Sequence, residues 1–167
     1  MIYGEERVRL DQTAKKTALR GITYGLYVIG TRKGDEVNAF TGNWLTQTSF
    51  DPPLVVLAAK KGTTSQEMID SEGVFSANIL KSGDKHLAEK FFKPVKRVGN
   101  KLEDVEFHTE VTGCPLLKDA LSWFECQVVD RVDRGDHMIF VGQVVNAGVN
   151  QEGSPLTMAE TGWYYGG

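Results

Sequence analysis

Short apolar runs and short alternating runs dominate this chain, and both predict strands. Leu54 to Ala59, LVVLAA, is apolar without alternation, the pattern of a strand buried on both faces. Thr23 to Thr31, TYGLYVIGT, is rich in β-branched and aromatic residues. Lys33-Gly34-Asp35 then turns the chain into a partner strand, Glu36 to Thr41. Val74 to Leu80 reads as another strand. Leu121 to Val129 alternates, with Trp123 on one face and Phe124, Cys126 and Val128 on the other. Met138 to Val145 is apolar on both faces except at Gln143, as expected inside a closed barrel or under a subunit interface. Asp133-Arg134-Gly135-Asp136 joins those last two as a hairpin.

Helical periodicity is confined to short stretches. Asp11 to Leu19 predicts a helix with Asp11 as N-cap. Thr64 and Glu67 have the spacing of a capping box, starting a helix that carries Met68 and Ile69 inward. Asp84 to Phe92 places Leu87, Ala88 and Phe91 together, and Pro94 ends it. The first dozen residues read as an arm. The fold class that follows is mainly β, a barrel with a few short peripheral helices, as one domain over residues 1–167.

One stretch departs from this pattern. Asn38 to Pro53, NAFTGNWLTQTSFDPP, reads as a long polar loop between strands, with Trp44 its one large flat aromatic. Amides, hydroxyls and backbone N–H groups beside such a ring suit a planar heterocycle, although a decorated surface loop has the same composition. Beyond the next strand, Lys60 and Lys61 precede Thr63, Thr64 and Ser65 at a helix start. That arrangement is either a phosphate site or a capped helix beside two solvated lysines. His137 stands at the mouth of a strand. The aromatic segment Trp163-Tyr164-Tyr165 needs something to cover, whether core, partner surface or a ligand.

Charge and composition narrow the classes. The chain is 41% hydrophobic and 25% charged, so it can bury a core. A net charge of −3 with scattered Lys and Arg gives no footprint for nucleic acid. No apolar run reaches membrane-span length and no charged-then-apolar leader opens the chain, so the expected setting is cytoplasmic, without a membrane. Cys114 and Cys126 read as buried structural thiols, and no metal site is expected. There is no Gly-x-Gly-x-x-Gly after a strand, so a Rossmann fold is not indicated.

Asn38, Thr41, Trp44, Gln47, Ser49, Phe50 and Pro52-Pro53 match, in order and spacing, the signature of the flavin reductase-like family. Gly73-Val74-Phe75, Pro115-Leu116, Glu125-Cys126 and the Gly-Asp-His…Phe…Gly run from Gly135 to Gly142 extend the resemblance almost to the end of the chain. The resemblance implies an FMN-binding split β-barrel, a homodimer with FMN at the subunit interface, and hydride transfer from NADH or NADPH through FMN to free flavin, iron or a redox protein. It implies an isoalloxazine held by Asn38, Thr41, Gly42, Asn43, Trp44 and Ser49. The phosphate would lie on Lys60 or Lys61 with Thr63, Thr64 and Ser65. Lys101, in a loosely matched triplet with Asn100 and Leu102, is a further candidate contact, and Trp163 a candidate lid. His137 is the candidate catalytic residue, near flavin or nicotinamide. A flavoredoxin-like carrier, reduced by a rubredoxin- or flavodiiron-like partner without NAD(P)H turnover, fits the same residues. So does a flavin-free barrel used as a binding module. The ending at Gly166-Gly167 leaves a following domain open.

Overall fold

The computed structural model describes residues 9–167, and residues 1–8 of the expected arm lie outside them. In chain order the elements are α1 (Gln12–Arg20), β1 (Tyr27–Lys33), β2 (Glu36–Gly42), β3 (Leu45–Ser49) and β4 (Leu54–Lys60). Next come α2 (Thr64–Glu72), β5 (Val74–Ile79), α3 (Lys85–Glu89), β6 (Arg97–Val98), β7 (Lys101–Leu102), β8 (Val105–His108) and β9 (Leu116–Leu117). The long strands β10 (Ser122–Asp133) and β11 (His137–Val149) follow, then α4 (Met158–Thr161). No helix among the described residues is long and apolar enough to cross a membrane.

The main sheet is antiparallel, with seven strands in the order β2-β1-β5-β10-β11-β4-β3. Its two end strands, β2 and β3, are separated in sequence only by Asn43 and Trp44. Three Cα–Cα steps reach at most about 11 Å. Seven strands can meet that limit only by curling until their ends nearly touch. No ladder joins β2 to β3 among the described residues, so the curled sheet stays open along this seam. The mainly-β expectation holds, and the barrel is split rather than closed.

Curvature comes from two irregularities where β10 pairs with β11, at Glu125/Cys126 and Val128/Asp130. Inside the curl, Gly142 leaves room for Phe75: a Cβ there would lie 2.7 Å from the Phe75 ring and 3.0 Å from the Cys126 Cβ. Ile29, Leu57, Ile69, Phe75, Cys126 and Phe140 fill this inner core. A second core on the opposite face holds Leu26, Val28, Leu80, Leu87, Phe91, Phe107, Leu117 and Leu156 under α3 and the small β6-β7-β8-β9 sheet. Val28 and Ile29 are successive residues in different cores, the two-residue period of a strand buried on both faces.

Two expectations change. Asn38 to Pro53 is not one loop, since β2 runs to Gly42 and β3 spans Leu45–Ser49. Thr46, Gln47 and Thr48 are exposed because β3 is an edge strand, and their polarity disguised it. Leu54 to Ala59 is not equally buried on both faces either: Val55, Leu57 and Ala59 are buried, whereas Leu54, Val56 and Ala58 are only half-buried.

Glu125 is 0% exposed in β10. Its carboxylate accepts from the Val111 and Thr112 N–H groups, the Thr112 hydroxyl and Asn146 Nδ2, at 2.6–3.1 Å. Burial pushes the carboxyl up, but these donors outweigh it and hold the group below its ordinary value of 4.5. The loop before β9 is thereby fastened to the barrel. Cys114 and Cys126 are pushed up by burial to about 11 and about 12, so both remain protonated, inert thiols.

A depressed carboxyl stabilises the fold above its unfolded pKa and loses that contribution as pH falls. Glu125→Gln is therefore expected to cost about 2 kcal/mol at pH 7, with its deficit against wild type shrinking as pH falls below 4.5. Urea unfolding at neutral and acid pH measures both; a constant deficit would remove the charge from the explanation.

Candidate functional site

A cavity of about 840 Å³ opens at the seam, within the range of small-molecule sites. Asn38, Thr41, Gly42, Asn43 and Trp44 form its seam wall; Lys60, Thr63, Thr64 and Ser65 line it beyond, with His137 beside Lys60 in the sheet and the segment from Gly162 to Tyr165 adding aromatic surface. Two ties hold the seam in place. The Ala58 N–H donates to the Trp44 carbonyl at 3.0 Å, fixing it to β4. On the other side, the Thr41 N–H and hydroxyl donate to the Phe91 and Ala88 carbonyls at 3.1 and 2.7 Å, fixing β2 to α3.

Three residues expected in the site lie elsewhere. Ser49 ends β3 at a ladder irregularity opposite Leu54, and its carbonyl accepts from Gln47 Nε2 at 3.2 Å. Lys61 pairs with Asp133 at the end of β10, while Lys60 faces the cavity. Lys101 stands on the small sheet, 4.0 Å from Glu106, so the loose triplet match does not bring it to the seam. Every other candidate residue lines the cavity.

The Lys60 end has the character of an anion site. Thr63, rather than Thr64, is the N-cap of α2: its Oγ1 accepts from the Gln66 N–H at 3.3 Å and donates to the Lys60 carbonyl at 2.9 Å. Gln66 completes the cap by accepting from the Gly62 N–H at 3.2 Å. The capping pair is thus Thr63 with Gln66, one residue before the expected Thr64 with Glu67. The N–H groups of Thr64 and Ser65 fall in the first turn, where no helical carbonyl reaches them. Lys60 adds a cation with no ion-pair partner among the described residues.

The lining around His137, beside Lys60, is aromatic. Trp44 and His137 have ring centroids 4.6 Å apart, and Tyr165 lies edge-on to Trp44 at 5.2 Å. His137 Nδ1 is 2.8 Å from Asp136 Oδ1, and Nε2 is 2.9 Å from the Tyr165 hydroxyl. The hydrogen bond from His137 holds the Asp136 carboxyl below its usual range. Two buried side-chain donors in the seam, Asn43 Nδ2 and Trp44 Nε1, have no hydrogen-bond partner among the described residues. Buried donors are seldom left unpaired, and both belong to residues lining the cavity.

Sequence reasoning overlooked the apolar roof formed by Leu26, Phe91, Phe92 and Met158. Phe91 read as core, which it is, and the exposed Phe92 beside it was the available signal. The aromatic segment after α4 does cover something: Trp163 and Tyr165 close one side of this cavity.

A curled, split antiparallel sheet, with an anion-ready helix start and unpartnered donors at its seam, defines a mainly-β protein with a cavity whose chemistry suits a polar ligand. The chain belongs to the family described as Flavin reductase like domain, whose sequence model matches residues 19–167. It is 34% identical over 144 residues to a "Probable flavin reductase" of Rhizobium meliloti (strain 1021), covering 84% of this chain and 45% of that protein. It is 32% identical over 144 residues to a "High molecular weight rubredoxin" of Moorella thermoacetica, covering 85% of this chain and 63% of that one. The chain therefore spans less than two thirds of either relative. Among solved structures, flavin reductase PheA2 in its native state superposes with a TM-score of 0.74 at 31% identity, covering 89% of this chain and 93% of that one.

Because Thr63 is the cap, Thr63→Ala is expected to remove about 1 kcal/mol of stability from the protein without added ligand, lowering its Tm by about 2–4 °C. Thr64→Ala should stay within about 0.5 kcal/mol of wild type. Thermal unfolding of the two variants side by side checks the assignment, and equal losses would reject it.

Proposed function

We propose that this chain is an FMN-dependent oxidoreductase of the flavin reductase type, moving electrons from NADH or NADPH through FMN to free flavin, iron or a redox protein. The observation that carries the reading is the pair of orphaned donors, Asn43 Nδ2 and Trp44 Nε1, in a cavity that ends on a bare helix start. Both donors suit the carbonyl oxygens and imine nitrogens of an isoalloxazine. Lys60 with Thr63, Thr64 and Ser65 suits a terminal phosphate, which favours FMN.

Bound there, the flavin would accept a hydride from a dihydronicotinamide and pass on two electrons. The protein's own part is positioning. Trp44 offers a flat face to the ring system or ribityl chain, Asn38 and Thr41 line the same wall, and Trp163 bounds the cavity opposite. His137 stands where a ring or a nicotinamide would meet it, oriented by Asp136. No acid–base pair is required, because hydride transfer depends on alignment and the exclusion of water.

A second reading has its own support. The likeness to a protein named as a rubredoxin favours a carrier reduced by a protein partner, without NAD(P)H turnover. Mass spectrometry of the extracted chromophore, followed by anaerobic titration with NADH and NADPH, separates the two. The expected result is a yellow protein releasing FMN and bleached by one of the two donors. Bleaching by reduced rubredoxin alone would select the carrier, and failure to take up FMN would end both readings.

A homodimer completes the proposal. Phe50 is 91% exposed, and Val129 and Val132 on the β10–β11 hairpin are exposed as well. Ile139 and Val141, on one face of β11, are only half-buried, giving an apolar sheet face that needs a cover. Sedimentation at falling concentration, read at protein and flavin wavelengths, is expected to show dimer dissociation and flavin release together. A folded, flavin-loaded monomer would refute the dimer alone.

A further inference from the structure

The segment after α4 engages His137 in a way the proposed function does not require. It leaves the helix at Gly162, with a left-handed φ of 72°, and bends again at Gly166, with φ 87°. Between these bends its hold is uneven. Trp163 is anchored: its ring lies 4.9 Å from Phe92, Lys85 Nζ sits 4.6 Å over it, and Lys85 also donates to the Thr161 carbonyl at 2.9 Å. Tyr164 is 73% exposed, with the Arg20 guanidinium 5.0 Å over its ring. Tyr165 turns back into the cavity and is held there by its hydroxyl on His137 and its ring against Trp44.

The His137 side chain is only 11% exposed, and both ring nitrogens are engaged. An ionised Asp136 can only accept, so in the neutral imidazole Nδ1 carries the proton and Nε2 is the acceptor. The Tyr165 hydroxyl fills that acceptor position. A ligand that donates to His137 Nε2 must first displace it.

We infer that Tyr165 is a displaceable strap, occupying on His137 and Trp44 the place that the carboxamide end of a nicotinamide donor takes when it enters the cavity. The inference rests on the reductase reading for the identity of the entrant. A carboxamide N–H on a flat ring offers the same chemistry as a phenol O–H, a single donor for Nε2 beside an aromatic face. Trp163 stays anchored while Tyr165 swings out, so the strap sets the fraction of molecules open to the donor. The apparent dissociation constant for the donor is raised by the inverse of that fraction.

The test uses the full chain with two variants, Tyr165→Phe, which keeps the ring, and Tyr165→Ala, which removes it. Stopped-flow anaerobic reduction of the FMN-loaded proteins by NADH and NADPH gives the apparent donor dissociation constant and the limiting rate. Loss of one hydrogen bond predicts a dissociation constant lower by about three- to tenfold in Tyr165→Phe, and at least as low in Tyr165→Ala, with little change in limiting rate. An unchanged or higher constant in both variants, with flavin still bound, overturns the strap. A second readout needs neither flavin nor donor: imidazole nitrogen NMR of the ligand-free chain should report an Nδ1–H tautomer whose Nε2 resonance moves toward its unbonded value in Tyr165→Phe. An unmoved resonance also overturns the strap. A wild-type protein that takes up no flavin, or whose flavin neither donor reduces, defeats the reductase reading instead, and the strap is then decided by the NMR comparison alone.

Discussion

The rest of the structure depends on the two-residue connection between the ends of the main sheet. Asn43 and Trp44 must bridge β2 and β3 although five strands lie between those two in the sheet order. That forces the sheet to curl and brings two edge strands side by side. Sheet edges normally have to be covered or paired. Here they are tied instead to what lies beyond them, β2 to the end of α3 through Thr41 and the seam to β4 through the Trp44 carbonyl. The opening that remains is the cavity, and its wall is the bridge itself.

Its chemistry follows from this geometry. The short bridge buries an amide and an indole N–H without giving either an acceptor among the described residues, which an isolated hairpin would leave to water. Beyond β3, the first strand after the seam, β4 delivers Lys60 and the start of α2 to the cavity. Its neighbour in the sheet, β11, delivers His137 in register with Lys60, so the two stand side by side on the cavity lining. Lys60 and His137 therefore sit on paired positions of adjacent strands, and their closeness is set by the sheet. Rigid elements carry nearly all of the site. The exception is the segment after α4, which contributes aromatic surface from a backbone bent at glycines.

Much of this could be read in the residues. β1, β4, β5, β10 and β11 were evident because burial imposes apolar runs or alternation on strands, and helix starts and stops carry caps and prolines. The flavin reductase-like resemblance marked the seam residues and His137 through spacing alone. Other features left ambiguous traces. β3 looked like loop because an edge strand exposes polar side chains, and the α2 cap was displaced by one residue because Thr63 and Thr64 are both good caps. The buried Glu125 resembled any surface carboxylate, since its four donors come from Val111, Thr112 and Asn146, distant in sequence.

The sequence by itself determined a mainly-β chain, the positions of most strands and the family whose motif it carries, because these depend on local propensity, periodicity and residue spacing. Only the tertiary structure decided which side of a strand end each lysine takes, so that Lys60 faces the cavity and Lys61 turns to Asp133. It alone kept Ser49 and Lys101 away from the cavity lining, brought Phe92 to its roof, and set Tyr165 on His137 across 28 residues of chain. Those contacts join residues remote in sequence, and they exist only once the sheet has curled far enough to close on its two-residue bridge.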